Sequence, residues 1–232
     1  MFIAGLKKFS LADYPGEQAC VVFLPGCNYR CPWCCYGQYV EGSQKTGLFE
    51  ESFWSFLDEE KDRLTACVVT GGEPTIYKEL PAFLKTIKKR GYKVKLETNG
   101  SNPAILEELI KERLVDFISL DIKAPREKYG YLIGFPQDAM NYLLSKIDRS
   151  ISLLKEGAVD YEFKTTVGSY LSKNDVLSIA HWIRPAKRYV LVNFRPQQTL
   201  NQEFSLYKPI EQQKLSHLKN SLASFFDSCE IQ

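Results

Sequence analysis

Short runs rich in β-branched and aromatic residues alternate with longer amphipathic stretches along most of this chain of 232 residues. The short runs predict six buried strands, at residues 19–24, 66–70, 93–97, 115–120, 160–167 and 188–194. The longer stretches predict helices at residues 51–64, 78–89, 103–112, 137–155 and 173–183. Strands separated by helices favour parallel pairing, so we expect an α/β fold that is either an open doubly wound sheet or a barrel.

No proline-rich, low-complexity or strongly charged linker interrupts this alternation. We therefore expect a single domain over residues 1–232, with its core at about residues 18–200. Residues from about 209 to 227 are predicted to form an amphipathic helix that packs over the core rather than a docking face for a partner. The apolar residues of this stretch are Ile210, Leu215, Leu218, Leu222, Phe225 and Phe226.

The charge of the chain is nearly balanced, with 30 Lys and Arg against 28 Asp and Glu. A net charge of +2 supplies no broad basic field, so we expect neither nucleic acid nor an anionic membrane as a partner. The first lysines follow a very short apolar run, and no later stretch approaches the roughly 18 apolar residues of a membrane span. Secretion and membrane spanning are therefore not expected.

Seven cysteines are unevenly placed along the chain, with four of them within residues 27–35. Because nothing indicates export to an oxidising compartment, we expect a metal or cluster site in the reducing cytoplasm rather than disulfides. The isolated cysteines, Cys20, Cys67 and Cys229, are expected to be small buried residues, since free cysteine is among the most buried residue types.

The unusual residues of the chain follow the ends of the predicted strands. They are the cysteines of a loop at residues 26–37, Thr70 to Pro74 (TGGEP), Thr98 to Gly100 (TNG) and Asp121 to Lys123 (DIK). In both candidate architectures the loops at the carboxyl ends of the strands build the site. We therefore expect these residues to converge in space.

Cys27, Cys31 and Cys34 form a C-x3-C-x2-C spacing that can fold around one iron–sulfur cube, with three ligands that leave one iron open. Cys35 is poorly placed as a fourth ligand because it is adjacent to Cys34, and the two histidines lie far downstream. S-adenosylmethionine can fill the open position through its amino and carboxylate groups, and the cofactor pair then carries the difficult chemistry. The alternative is a zinc knuckle.

These residues resemble the radical S-adenosylmethionine (radical SAM) superfamily. The resemblance rests on the cysteine spacing, on the aromatic Trp33 just before the third cysteine, and on Gly71, Gly72, Glu73 and Pro74 one unit beyond the cysteine loop. It implies one 4Fe–4S cluster held by Cys27, Cys31 and Cys34, and S-adenosylmethionine as the second cofactor.

More narrowly, Gly5 to Gly16 (GLKKFSLADYPG) and Phe194 to Gln197 (FRPQ) are similar to the activating proteins of anaerobic ribonucleoside-triphosphate reductase. The resemblance runs from about residue 3 to residue 203. It implies a partial (β/α)6 barrel of the radical SAM type, open enough at one side to admit a polypeptide loop.

The resemblance also implies roles for individual residues. Trp33 would lie near the adenine, and the Gly-Gly-Glu-Pro turn would contact the methionine amino group. Lys123 would pair with the methionine carboxylate as a point charge. The remaining residues expected to bind the cofactor are Glu97, Thr98, Asn99, Asp121, Lys164 and Arg195.

Two departures from the family pattern leave the exact member open. Cys35 occupies the position where histidine is common, and Gly168 to Tyr170 lacks the usual Pro-Gly after the fifth strand. We expect an enzyme that generates a glycyl radical on a large partner, anaerobic ribonucleotide reductase, with a flavodoxin or ferredoxin as electron donor. Radical chemistry on a small molecule, as in 7-carboxy-7-deazaguanine synthases, and a binding module braced by zinc or a cluster are the alternatives.

Overall fold

The computed structural model describes residues 1–40, 47–197 and 199–232. Eight strands form one sheet in sequence order. The strands are β1 (Gly5–Ser10), β2 (Ala19–Leu24), β3 (Ala66–Gly71), β4 (Lys93–Thr98), β5 (Phe117–Asp121), β6 (Asp160–Val167), β7 (Ala186–Asn193) and β8 (Phe226–Ile231). Strands β2 to β7 confirm the six predicted strands to within about two residues at each end.

The helices lie between these strands. They are α1 (Gly37–Val40), α2 (Glu50–Glu59), α3 (Leu80–Lys89), α4 (Pro103–Lys111), α5 (Tyr129–Ile133), α6 (Met140–Lys155), α7 (Lys173–Ile183) and α8 (Gln212–Leu222). Short 3-10 turns lie at Pro74–Ile76, Arg126–Lys128, Gln137–Ala139, Gln202–Leu206 and Ala223–Phe225. No helix among the described residues is long and apolar enough to cross a bilayer.

The strand order decides between the two architectures that the sequence left open. From β2 to β8 every strand is parallel to its neighbour, and the order follows the chain without reversal. A doubly wound sheet requires a reversal of strand order, so it is excluded. Within the described residues β1 pairs only with β2, in antiparallel fashion, and β8 pairs only with β7. The fold is therefore an open, partial α/β barrel.

The two faces of the sheet bury different side chains. On the helix-facing side, alternate residues such as Cys20, Val22 and Cys67 join the main apolar core. On the inner side, Ala19, Val21, Ala66 and Val68 form a smaller apolar cluster with Tyr14. Further along the inner side, Lys95 and Glu97 of β4 pair with Glu162 and Lys164 of β6, which makes this part of the barrel interior polar.

The predicted C-terminal helix at 209–227 is wrong at both ends. The helix α8 spans only Gln212–Leu222, and the residues after it turn and enter the strand β8. Leu215, Leu218 and Leu222 are buried, as an amphipathic helix requires. Phe226, which we assigned to the helix, instead begins β8 and packs against Tyr189 of β7, with ring centroids 4.8 Å apart. The physical reason is the edge of β7. A strand that pairs with this edge satisfies backbone N–H and C=O groups of β7 that a helix would leave without hydrogen-bond partners.

Candidate active site

The cysteine loop leaves the carboxyl end of β2 and is held by its own backbone and side chains. Gly26 adopts a positive φ of 77°, which turns the chain at the start of the loop. The Arg30 guanidinium then donates hydrogen bonds to the carbonyl oxygens of Cys27 (2.7 Å) and Tyr29 (2.9 Å). The amide of Tyr29 donates to Cys27 Sγ at 3.4 Å. The loop therefore has a fixed shape around its first thiol.

All seven cysteines are free thiols, and Cys27, Cys31 and Cys34 line the same cavity. Burial raises the pKa of Cys27 to about 11 and that of Cys31 to about 12, and it also raises the pKa of Cys34. Metal binding at these thiols therefore has to displace protons. Three soft sulfur donors around one cavity fit an iron–sulfur cube, in which each thiolate binds a different iron atom.

The other cysteines lie in different surroundings. Cys20, Cys67 and Cys229 are buried, as predicted, whereas Cys35 is exposed at the edge of the cavity. Across residues 1–40, 47–197 and 199–232, no group of three or more His, Cys, Asp and Glu side chains is arranged to hold a single metal ion.

The Gly-Gly turn after β3 packs directly against the backbone of the cysteine loop. The amide of Gly72 donates to the carbonyl oxygen of Leu24 at 2.8 Å, and the amide of Glu73 donates to that of Gly26 at 2.8 Å. A Cβ atom on Gly72 would lie only 1.8 Å from the Gly26 oxygen. Gly71 has a φ of +114°, and an added Cβ there would lie 2.4 Å from the backbone nitrogen and oxygen of Leu24. Both positions therefore require glycine for a local structural reason.

Glu73 ties this turn to the end of β4. Its buried carboxylate accepts hydrogen bonds from the Thr75 amide (3.0 Å) and hydroxyl (2.5 Å), from the Thr98 hydroxyl (2.7 Å) and from the Asn99 amide (2.7 Å). Burial raises the pKa of Glu73 in spite of these four donors. Pro74 begins the 3-10 turn and is buried, but it does not line the cavity. Glu73 thus connects the Gly-Gly turn after β3 to the loop after β4 through hydrogen bonds.

The loop after β4 also holds the cysteine loop from the side. Asn99 Nδ2 donates to Asn28 Oδ1 at 2.9 Å, and Asn28 Nδ2 donates to Ser101 Oγ at 2.8 Å. The sequence singled out Asn99 but not Asn28 or Ser101. Their partnership depends on the fold, because Asn28 and Asn99 are 71 residues apart in the chain.

Glu97 is the central member of a row of charges on the inner face of the sheet. Its carboxylate lies 2.8 Å from Lys164 Nζ and 3.8 Å from Lys95 Nζ, and it accepts a hydrogen bond from the Thr70 hydroxyl at 2.9 Å. Lys95 in turn pairs with the buried Glu162 at 3.0 Å. Burial alone would raise the pKa of Glu97, but the two lysines outweigh it and lower the pKa to about 2.

This lowered pKa predicts how stability depends on pH. The ordinary pKa is 4.5, so the stabilisation from Glu97 is present above pH 4.5 and is lost as the pH falls toward 2. Glu97→Gln is expected to cost about 2 kcal/mol of unfolding free energy at pH 6, because it leaves Lys164 without its carboxylate. The difference in unfolding free energy between Glu97→Gln and the wild type, measured by urea unfolding, should be smaller at pH 3 than at pH 6. Glu107→Gln, which removes an exposed partner of Arg149, should change stability little at either pH.

Asp121 and Lys123, at the end of β5, form an ion pair of 2.9 Å inside the cavity. Burial lowers the pKa of Lys123, but Asp121 and the Cys31 thiol oppose this and keep the pKa well above its usual value. Lys123 therefore presents a fixed positive charge beside the cysteines.

Trp33 lies between the second and third cysteines of the loop and is almost completely buried. Its ring stacks on Tyr170, with centroids 5.1 Å apart and an angle of 19° between the planes, and it also contacts Phe204 at 5.9 Å. The indole is thus packed against other aromatic rings, and Trp33 also lines the cavity. The sequence did not indicate this aromatic cluster, whose members come from segments more than a hundred residues apart.

The cavity that these loops enclose has a volume of about 260 Å³. It is lined by every residue that the sequence singled out for the site except Pro74. The lining residues that the sequence did not single out for the site include Asp13, Tyr29, Tyr36, Lys95, Thr166 and Asn193. Lys95 had a detectable signal, because it is two residues before Glu97 and shares its face of β4.

Comparison with known proteins agrees with this geometry. The model of the radical SAM superfamily matches residues 21–183. A protein of Methanocaldococcus jannaschii with the provisional name glycyl-radical enzyme activating enzyme is 29% identical over 99% of this chain and 95% of that protein. The 7-carboxy-7-deazaguanine synthase of Thermoplasma acidophilum is 30% identical over 68% of this chain and 73% of its own length.

Solved structures give the same fold. A radical SAM methyltransferase from Sphaerobacter thermophilus superimposes with a TM-score of 0.72 at 15% identity, over 94% of this chain and 67% of that one. SuiB of Streptococcus suis, bound to its precursor peptide SuiA, superimposes with a TM-score of 0.67 at 14% identity. That match covers 91% of this chain and 48% of SuiB, so the chain spans about half of SuiB. At these identities the likeness is one of fold alone.

The chain belongs to the radical SAM superfamily. Its structure agrees with this class, because it is a partial parallel barrel that carries a three-cysteine loop and a Gly-Gly turn at the carboxyl ends of its strands. Enzymes of this superfamily use a 4Fe–4S cluster and S-adenosylmethionine. Curated relatives within the superfamily include proteins provisionally named glycyl-radical enzyme activating enzymes and proteins named 7-carboxy-7-deazaguanine synthases.

Proposed function

We propose that this enzyme binds one 4Fe–4S cluster through Cys27, Cys31 and Cys34 and uses S-adenosylmethionine to generate a glycyl radical on a partner protein. The observation that carries the proposal is the common cavity, in which three free thiols face the positive charge of Lys123. The proposed partner is an anaerobic ribonucleoside-triphosphate reductase. With Cys27, Cys31 and Cys34 holding the cluster, the bound cofactor pair would supply one-electron reductive cleavage of S-adenosylmethionine, which would yield methionine and 5′-deoxyadenosine, the latter carrying a hydrogen atom taken from the glycine Cα of the partner.

The chain's own residues would bind and orient the cofactor. We propose that Lys123 neutralises the methionine carboxylate of S-adenosylmethionine. Asp121 would hold the Lys123 ammonium in place and keep it charged through their ion pair. In addition to Lys123, the residues that we propose as contacts to the cofactor are Trp33, Gly71, Gly72, Glu73, Pro74, Glu97, Thr98, Asn99, Asp121, Lys164 and Arg195. Of these, Pro74 would act through the turn that it begins, because it lies outside the cavity lining.

The proposal of a protein substrate is supported by the relatives. The protein from M. jannaschii carries the name of an activating enzyme and aligns along nearly its whole length. SuiB, which shares the fold, binds a peptide.

The second candidate is radical chemistry on a small molecule. It is favoured by the match to the synthase of T. acidophilum, at 30% identity over 73% of that enzyme. If this reading is right, deoxyadenosine should form in the presence of the small-molecule substrate and not in the presence of a partner protein.

The deciding experiment mixes reduced, cluster-loaded enzyme and S-adenosylmethionine with candidate glycyl-radical proteins. The expected result with the reductase is an electron paramagnetic resonance doublet, split by the remaining glycine hydrogen. The matched control is a reductase in which the radical glycine is replaced by alanine. Deoxyadenosine formation without any protein radical would contradict the activator proposal.

Arg195 offers a test of the proposed cofactor contacts. It lines the cavity, and among the described residues no carboxylate lies within ion-pairing distance of it. Arg195→Ala is expected to weaken S-adenosylmethionine binding about tenfold, because a charged hydrogen bond is worth about 1.5–3 kcal/mol. Arg195→Lys should retain only part of the affinity for S-adenosylmethionine, since lysine lacks the planar guanidinium of arginine. Arg63→Ala, on the exposed surface, is the control, and unchanged affinity in Arg195→Ala would remove this residue from the cofactor site.

We also propose that the chain works as one domain in the cytoplasm and receives its electron from a separate flavodoxin or ferredoxin. The single sheet that contains every described strand supports the first part. The single set of cluster cysteines in this sequence supports the proposal of an external donor.

A further inference from the structure

The short helix α5 connects two parts of the site that are far apart in the sequence. It lies between β5 and α6, at Tyr129–Ile133, and ends at Gly134, which adopts a left-handed conformation with φ 66° and ψ 39°. A helix of five residues has little stability of its own, so its position depends on what it contacts. One end contacts the cysteine loop, and the other contacts the strand end that carries Lys123.

The C-terminal end of α5 holds the cysteine loop. The carbonyl oxygen of Ile133 accepts a hydrogen bond from the Arg30 amide at 2.9 Å. Gly134 packs so closely on Arg30 that an added Cβ would lie 3.2 Å from the Arg30 Cβ. Arg30 is the residue whose guanidinium binds the carbonyl oxygen of Cys27, and it directly precedes Cys31. A shift of α5 would therefore shift the segment that joins these two cysteines.

The N-terminal end of α5 holds the strand end that carries Lys123. The Lys123 amide donates to the Tyr129 hydroxyl at 3.3 Å, and Tyr129 is fully buried. The side chain of Lys123 is in turn oriented by its ion pair with Asp121. The two ends of α5 thus fix the cysteine loop and Lys123 with respect to each other.

We propose that α5 with Gly134 is a positioning element, which sets the separation between the cluster cysteines and Lys123 so that both engage one S-adenosylmethionine molecule. The proposal rests on the proposed roles of these residues, because it assumes that the open iron and the Lys123 ammonium bind the same ligand. Two groups that bind one ligand lose affinity when their spacing varies. In well-ordered sites a misplacement of about 1 Å also costs up to about a hundredfold in reaction rate.

The first test substitutes Gly134 by alanine. Gly134→Ala in cluster-loaded protein is expected to weaken S-adenosylmethionine binding about tenfold, since the new methyl group pushes on Arg30. The measurement is a titration of the change that S-adenosylmethionine produces in the electron paramagnetic resonance spectrum of the reduced cluster. Gly157→Ala is the matched control. Gly157 also has a positive φ, of 78°, just after a helix, but an added Cβ there meets nothing within 4 Å.

The second test removes the other contact of α5 without backbone strain. Tyr129→Phe is expected to weaken S-adenosylmethionine binding about threefold to fivefold, because the Lys123 amide loses its acceptor. Tyr189→Phe removes a comparable buried hydroxyl, which donates to Thr165 at 2.9 Å outside the cavity, and should leave the affinity unchanged. In the double variant Gly134→Ala/Tyr129→Phe, the fold-loss of S-adenosylmethionine affinity should be smaller than the product of the two single losses, because both substitutions act through one helix.

The iron content after anaerobic reconstitution separates the outcomes. If Gly134→Ala has the same iron content as the wild type and binds S-adenosylmethionine as tightly as Gly157→Ala does, the positioning role of α5 is overturned. The proposed function is not affected by that result. Wild-type protein that takes up no iron and binds no S-adenosylmethionine would overturn the proposed function, and the role of α5 with it. Weaker binding in both tests, with both controls unchanged, supports the proposal.

Discussion

Cys31→Ala is expected to abolish cluster binding and to reduce deoxyadenosine formation by at least about a thousandfold. The proposed cluster has only three protein ligands, so the loss of one leaves the cube held at two corners. Cys31 is the most deeply buried of the three and lies between the other two in the chain, so solvent or a neighbouring side chain replaces it poorly. The measurements are iron and sulfide content, and deoxyadenosine formed with dithionite as reductant.

Two control variants make this prediction specific. Cys67→Ala removes an equally buried thiol outside the cavity, and should keep the cluster at a cost of about 1 kcal/mol in stability. Cys35→Ala removes the exposed thiol next to Cys34 and should also keep the cluster. Loss of iron in Cys35→Ala together with normal iron in Cys31→Ala would contradict the proposed ligand set.

Gly72→Ala is expected to destabilise the protein without cofactors by more than about 3 kcal/mol, which is the upper range for overpacking. The added methyl group would lie 1.8 Å from the Gly26 carbonyl oxygen, and neither backbone can retreat without breaking the hydrogen bond from the Glu73 amide to that oxygen. The same displacement would move Cys27, so iron uptake should fall as well. The measurements are urea unfolding of the protein without iron, and iron content after reconstitution.

Gly37→Ala is the matched control for Gly72→Ala. It is the last residue of the cysteine loop and does not have a positive φ, but its added Cβ would lie 3.3 Å from the flexible end of the Leu200 side chain and at an ordinary contact distance of 3.5 Å from the Leu200 Cα. A loss below about 0.5 kcal/mol is expected there. Equal stability losses in the two variants would show that the close approach at Gly72 has no special cost.

The site was easier to predict from the sequence than the complete fold. The cysteine spacing, the Gly-Gly-Glu-Pro turn and the Asp121 to Lys123 motif are local patterns, and each follows a strand that its own composition indicates. Strand β8 was missed because its sequence continues the apolar pattern of α8, and only the open edge of β7 gives it a partner. Strand β1 was missed because its exposed lysines weaken the strand pattern.

The sequence by itself determined the six central strands, the loop of three cysteines and the glycines of the turn, because strand periodicity and ligand spacing are properties of neighbouring residues. Only the tertiary structure decided that the sheet is an open barrel, that Glu73 binds the loop after β4, and that Lys95 pairs with Glu162, 67 residues away. It also decided that α5 links Lys123 to the cysteine loop. The physical reason is that these contacts depend on strand register and curvature, which bring together side chains that no local pattern relates.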